Sequence, residues 1–196
     1  RMKRVPANRY FLFFGTAIFG CLADLWTKHV MFRDLGMPSG REEWVIQDVF
    51  GFQTSLNEGA LFGMGQGMVP VFVVLSAVAA VSIIVWLFGF KAARDKWLTL
   101  FLGMIMAGVF GNLYDRLGVP NLEWNYANDL HQVGEPVYAV RDWILVMIGD
   151  YHWPNFNIAD MLLVCGAVLL SAYSMFGKFE EEGESPDKSE KKDEKK

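Results

Sequence analysis

The sequence predicts an all-α membrane protein of four transmembrane helices. Both termini are expected to be cytoplasmic, with a small extracytoplasmic β-strand region and an interfacial segment before the fourth helix. The 196 residues are 53% apolar, with a mean hydropathy of +0.21, too apolar for an ordinary soluble domain. The apolar residues gather in four runs, Tyr10–Met31, Val69–Phe90, Trp97–Tyr114 and Phe156–Phe176. At about 18–23 residues and 1.5 Å per residue, each matches roughly 30 Å of hydrocarbon. Lys and Arg cluster in the flanks of alternate runs, which sets an orientation.

The first run follows Arg1, Lys3, Arg4 and Arg9. It is longer than a signal-peptide core, carries Asp24 and Lys28 near its end, and reads as a retained helix. Beyond it, Trp44–Leu56 is rich in β-branched and aromatic residues with partial alternation. That pattern predicts a short hairpin or curved strand pair on the outer surface. The second run leads into Lys91, Arg94 and Lys96, a cytoplasmic link by the positive-inside rule. The third run carries Gly103, Ala107 and Gly111 at four-residue spacing, a ridge that lets a neighbouring helix approach closely. Leu117–Pro136 is rich in Gly, Pro and Asn and predicts a long loop. Tyr138–Ile148 is apolar but too short to span, and is expected to lie at the interface or dip between helices. After the fourth run, Lys178 opens a charged tail of alternating Glu, Lys, Asp and Ser, a composition that cannot bury a core. One membrane domain over residues 1–178 is therefore expected, with a strand region at about 40–66 and an outer loop at about 117–155. A disordered cytoplasmic tail over 179–196 completes the chain.

Composition also excludes several classes. Cys21 and Cys165 lie alone inside apolar runs, without the spacing of a zinc site or a disulfide framework. No metal and no cofactor is expected. The chain has no Gly-rich phosphate loop and no basic, aromatic stripe for nucleic acid. Trp26, Trp44, Trp143 and Trp153 fit an interfacial belt. His29, His131 and His152 read as solvated or capping side chains.

The polar residues gather at one membrane face. Asp24 and Lys28 lie toward the outer end of the first helix, as an i,i+4 pair. Asn57 precedes the second helix; Asn112, Asp115 and Arg116 end the third on one face. Asp142 stands just before the fourth helix, and Asn157 and Asp160 open it. A carboxylate such as Asp160 costs roughly 2.5–3.5 kcal/mol at the centre of a membrane helix and less near its end. Something must offset that cost. A proton- or ion-conducting protein using the same carboxylates is one alternative, but it calls for polar residues through the whole membrane depth. The cytoplasmic halves of the runs are nearly free of them. A structural protein with capping charges only is another.

Five segments occur in order: Asp24-Leu25-Trp26-Thr27-Lys28, Asn57-Glu58-Gly59-Ala60-Leu61-Phe62-Gly63, Gly111-Asn112-Leu113-Tyr114-Asp115-Arg116, Val140-Arg141-Asp142-Trp143 and Phe156-Asn157-Ile158-Ala159-Asp160. Together they resemble the bacterial lipoprotein signal peptidases, the signal peptidase II family, from about Phe11 to Phe176. The resemblance implies an intramembrane aspartic endopeptidase that cleaves diacylglyceryl-modified prolipoproteins before the lipidated cysteine. It implies Asp142 and Asp160 as the catalytic pair, with Asp115 the competitor for one of those roles and ranked as structural or substrate-positioning. It further implies a multi-pass protein of the bacterial inner membrane, with its site toward the periplasm. Membrane lipids and globomycin-like inhibitors are expected as ligands, and a monomer as the assembly.

Two close carboxylates cannot both ionise easily. One would act as general base toward water and the other would donate a proton, with the holder of the proton left open. Asn112 and Asn157 are candidates to hydrogen-bond the pair or the substrate backbone, and Arg116 offers a fork of donors. Asp24 with Lys28 would brace the first helix; Asn57 and Gly59 would shape a turn; Ala159 completes the supporting set. The chain departs from the family pattern in two places. The connection from Leu117 to Arg141 is unusually long, and Arg141 and Trp143 stand where an apolar residue and Phe are usual.

Overall fold

The computed structural model describes residues 4–59 and 64–176. The tail over 179–196, and residues 60–63 of the expected strand region, lie outside the described residues. In chain order the elements are α1 (Ala7–Asp34), β1 (Glu43–Ile46), β2 (Phe50–Asn57), α2 (Val69–Ile84), α3 (Lys96–Arg116), β3 (Val140–Ile148), β4 (Tyr151–Phe156) and α4 (Ile158–Phe176). A π-helical turn, Val85–Gly89, prolongs α2, and one 3₁₀ turn, Ala92–Arg94, follows it. With that extension, four helices are long and apolar enough to cross a membrane.

Local chemistry sets the helix ends. Pro70 enters the first turn of α2, where its missing N–H costs nothing. Asp95 caps α3 by accepting the amide N–H of Trp97 at 2.9 Å and of Leu98 at 3.0 Å. At the other end of α3, Gly118 takes φ +71° and donates its amide to the Asp115 carbonyl at 2.9 Å. A left-handed glycine of this kind turns the chain out of the helix.

α3 is the hub: 56% of its span is buried, against 11–22% for the other three. The small-residue ridge accounts for this. A Cβ at Gly103 would come within 3.2 Å of the Phe13 carbonyl oxygen on α1, and one at Gly20 within 2.8 Å of Ala107. A Cβ at Gly111 would meet Asp24 Oδ2 at 2.5 Å and Ala159 at 3.0 Å. α1 and α4 therefore both sit on the small face of α3, close enough for backbone and short polar side chains to touch. Phe13, Ala80, Leu87, Leu98, Leu102 and Met106 form the apolar core among α1, α2 and α3.

The sheet is larger than the sequence suggests. All four strands pair antiparallel in the order β1-β2-β3-β4. The expected hairpin over Trp44–Leu56 is β1 and β2. The apolar segment Tyr138–Ile148 supplies β3, a central strand, and Phe156 ends β4 rather than opening the last helix. The physical reason lies in its burial. The first six residues of β3 are all buried, so both faces are covered and no apolar–polar alternation marks the strand.

The long connection between α3 and β3 is ordered. Trp124 donates its amide to the Glu135 carbonyl at 2.9 Å, and Val137 to Leu122 at 2.9 Å. Trp124, Val137 and Ala139 bury themselves with Leu56 and Met37 in a second small core. Two sequence expectations fail in this region. Trp143 is buried and packs its ring against Phe52, so it belongs to no interfacial belt. His131 is 5% exposed rather than solvated.

Candidate active site

The i,i+4 spacing of Asp24 and Lys28 produces an ion pair at 2.8 Å, fully buried. Lys28 reaches α3 as well: its Nζ lies 3.0 Å from Asp115 Oδ2 and donates to Asn112 Oδ1 at 3.0 Å. A buried ammonium of this kind is tolerated only when its donors are met. Asp115 carries a second cation. Arg141 donates from Nε at 2.9 Å and lies 2.8 Å away through Nη2, both at Oδ1, while its backbone N–H reaches Oδ2 at 3.1 Å. Asp115 thus fastens the end of α3 to the start of β3, one residue before Asp142. Its oxygens face Lys28 and Arg141.

The mouth of α4 is built by two reciprocal bonds. Asn157 Oδ1 accepts the Asp160 amide at 2.9 Å, and Asp160 Oδ2 accepts the Asn157 amide at 3.2 Å. This is a capping box, with asparagine and aspartate in the two roles. Asp24 Oδ1, from α1, accepts the Ala159 amide at 2.8 Å, so a further N-terminal donor of α4 is satisfied from outside the helix. Ala159 is fully buried against the small face of α3.

Two asparagines join these parts. Asn157 Nδ2 donates to Asp142 Oδ1 at 2.6 Å and lies 3.2 Å from Asn112 Oδ1. Asn112 Nδ2 donates to Asp160 Oδ1 at 2.8 Å. The oxygen of Asn112 already receives Lys28, so its amide nitrogen must face Asp160. Lys28 touches neither Asp142 nor Asp160, yet it orients the amide that holds Asp160. From the other side, Asn57 hydrogen-bonds Asp142 and accepts the Gly59 amide at 2.9 Å. Arg116 Nη2 donates to the Gly59 carbonyl at 2.9 Å, with its guanidinium 5.1 Å from the centre of the Phe72 ring.

The two carboxylates differ in setting. Asp142 is 2% exposed. Burial, and then the nearby Asp160 carboxylate, push it well above its ordinary value, against the opposing pull of Lys28, Asn157 and Asn57. Asp160 is only half-buried. Such a pair can hold one proton between two carboxyl groups, one end acting as acid and the other as base. Among the described residues, no three His, Cys, Asp or Glu side chains group to hold a metal ion.

All eleven residues singled out from the sequence thus lie at one end of the helix bundle. The residue missed was Arg141. An arginine beside an aspartate in an apolar stretch must find a buried partner on the opposite strand face, and that signal was available. An apolar groove of about 440 Å³ runs between α1 and α3, lined by Phe13, Ile18, Leu22, Phe110 and Leu113, and neither Asp142 nor Asp160 borders it.

Comparison with known proteins gives a consistent picture. The family model described as signal peptidase (SPase) II matches residues 16–176. The chain is 50% identical over 185 residues to the lipoprotein signal peptidase of Rhodopirellula baltica, covering 92% of this chain and 78% of that protein. It is 29% identical over 157 residues to that of Clostridium novyi, covering 80% and 92%. It is 30% identical over 175 residues to that of Rhodococcus jostii, covering 88% and 77%. A solved bacterial membrane enzyme, determined by the in meso method at 2.3 Å, superposes with a TM-score of 0.68 at 22% identity. That match covers 94% of this chain and 98% of the other, a likeness of fold.

Proposed function

This chain belongs to the signal peptidase II family, and from that membership we propose that Asp142 and Asp160 are the catalytic pair of its aspartic endopeptidase activity. The protein removes signal peptides from prolipoproteins. The observation that carries the site assignment is the shared grip of Asn157. This one side chain donates to Asp142 and accepts from the amide of Asp160.

The settings of the two carboxyls support a division of labour. Asp142 is buried and raised, so the shared proton rests there between turnovers. Asp160 is half-buried and receives two N–H donors, from Asn112 and from Asn157. In the reaction Asp160 takes a proton from water as the water oxygen attacks the scissile carbonyl carbon. Asp142 gives its proton to the carbonyl oxygen, leaving a neutral tetrahedral diol. When the C–N bond breaks, Asp160 returns its proton to the leaving nitrogen. Asp142 recovers a proton from the diol hydroxyl.

The substrate in this reading carries a diacylglyceryl group on the cysteine after the cleaved bond, and the half-buried Arg116 lies ready for its carbonyls. Basic residues before α1, between α2 and α3 and after α4 support cytoplasmic termini and a site on the periplasmic face of the inner membrane. The protein acts as a monomer, and globomycin-like peptides compete for the same face. Residues 1–178 form the peptidase domain. The decisive experiment incubates the detergent-purified chain with a diacylglyceryl-modified prolipoprotein. Asp142→Asn and Asp160→Asn should each abolish the shorter product while the protein stays folded; full activity in either would sink the pair.

A further inference from the structure

We infer that His131, carried by the long connection between α3 and β3, is a positioning residue for Asp142, acting through Glu58 on the turn Asn57–Gly59. The inference rests on the reading of Asp142 as one of the catalytic pair.

The loop is built to aim this side chain. Asn128 Oδ1 accepts the amides of Leu130 at 2.7 Å and His131 at 3.1 Å, and the Asn128 amide donates to the His131 carbonyl at 3.1 Å. The small turn so closed points the imidazole inward. There it stacks flat on Trp124, with ring centres 3.4 Å apart and planes 7° from parallel. Tyr126 meets it edge-on, with centres 5.2 Å apart. Trp124 is itself pinned to Glu135 and Gly134 through its backbone. The ring therefore has almost no freedom.

Its nitrogens are unusual. Among the described residues neither Nδ1 nor Nε2 has a hydrogen-bond partner, although the residue is 5% exposed. Buried polar atoms are seldom left so, because an unmet one costs roughly 1–3 kcal/mol. Packing alone would favour a phenylalanine at this place. What the imidazole does face is Glu58, whose Oε2 lies 3.9 Å from Nε2. At that separation the contact is electrostatic rather than a hydrogen bond, and it strengthens when the ring is protonated. Among the described residues, Glu58 and Tyr126 are the titratable side chains that face the ring.

Glu58 sits between the two residues that matter to the site. On its N-terminal side, Asn57 hydrogen-bonds Asp142. On its C-terminal side, Gly59 gives its carbonyl to Arg116 at 2.9 Å and its amide to Asn57 at 2.9 Å. The turn is thus held inward by Asp142 and Arg116 and outward by His131. Loss of the outer hold lets the turn relax and weakens the amide that fixes Asp142. His131 touches no reacting atom, so its effect falls on kcat through geometry.

The test uses the full chain in detergent with a lipid-modified prolipoprotein. His131→Phe keeps the stack on Trp124 and removes the nitrogens; Glu58→Gln removes the facing charge. Each should lower kcat by roughly fivefold to tenfold with KM and the thermal midpoint close to wild type, and the double variant should lose no more than either alone. His152→Ala, at the exposed histidine of β4, should leave the rate unchanged. Wild-type kcat in His131→Phe, losses that multiply in the double variant, or a loss explained wholly by a smaller folded fraction would each overturn the inference. Asp142→Asn is run alongside. If it stays active, the catalytic pair is wrong; if it is dead while His131→Phe is normal, only the role of His131 is wrong.

Discussion

Asn157 donates from Nδ2 to Oδ1 of Asp142 across 2.6 Å, so the residue that caps α4 also holds a carboxylate on strand β3. Helix start and sheet are thereby fixed to one another at the point where the proposed chemistry occurs. The same asparagine accepts from Asp160, so neither carboxyl moves independently of the other.

Asn157→Ala should therefore be far more harmful to the rate than to the fold. Losing a cap costs about 0.5–2 kcal/mol, whereas misplacing a reacting group by about 1 Å costs on the order of 10²-fold in rate. Cleavage of the lipidated substrate should fall by about that factor, with the thermal midpoint down by only a few degrees. A rate within about threefold of wild type would show that Asn157 serves α4 alone.

Asp142 carries a sign that can be read in stability. Its pKa is raised above the ordinary 3.8 by burial, so the folded state holds its proton more tightly than the unfolded one. That stabilisation is fully present below the unfolded value and is lost as pH rises through the folded value. Wild type should therefore lose stability relative to Asp142→Asn across that window, the asparagine being neutral throughout. Thermal unfolding at a series of pH values checks this; parallel curves for the two proteins would contradict it.

Lys28→Met leaves Asp24 and Asp115 buried without their shared ammonium. Breaking a buried pair on one side costs about 3–5 kcal/mol, and the variant should be poorly recovered from membranes. Adding Asp24→Asn should restore part of the yield, because one uncompensated charge is then gone. Size-exclusion profiles of the single and double variants measure this.

Gly111→Ala should also fail, for a steric reason. The added methyl would stand 2.5 Å from Asp24 Oδ2 and 3.0 Å from the Ala159 side chain. Both α1 and α4 would have to move away from α3, parting the Asp24 bond to the Ala159 amide. Loss of activity with raised protease sensitivity is the expected result. Gly15→Ala, where no atom lies within 4 Å, is the matched control and should behave as wild type.

The sequence by itself determined the four apolar helices, the hairpin of β1 and β2, the small-residue face of α3 and the eleven polar and small residues that gather at one end of the bundle. Each of these is written locally, in run length, in spacing along one helix or in a short motif. The tertiary structure decided three matters that local pattern does not carry. It made Tyr138–Ile148 the source of a central strand, because burial on both faces erases the alternation by which strands are recognised. It turned Arg141 from a departure into the partner of Asp115, since a contact between residues 26 apart depends on how α3 meets β3. It gave the long connection a place, with His131 stacked on Trp124 and facing Glu58, a meeting that no spacing in the chain encodes. Asp142 itself illustrates the division. Its motif names it as a carboxylate of interest, but only the sheet brings it to Asn157, the residue that also caps the helix carrying Asp160.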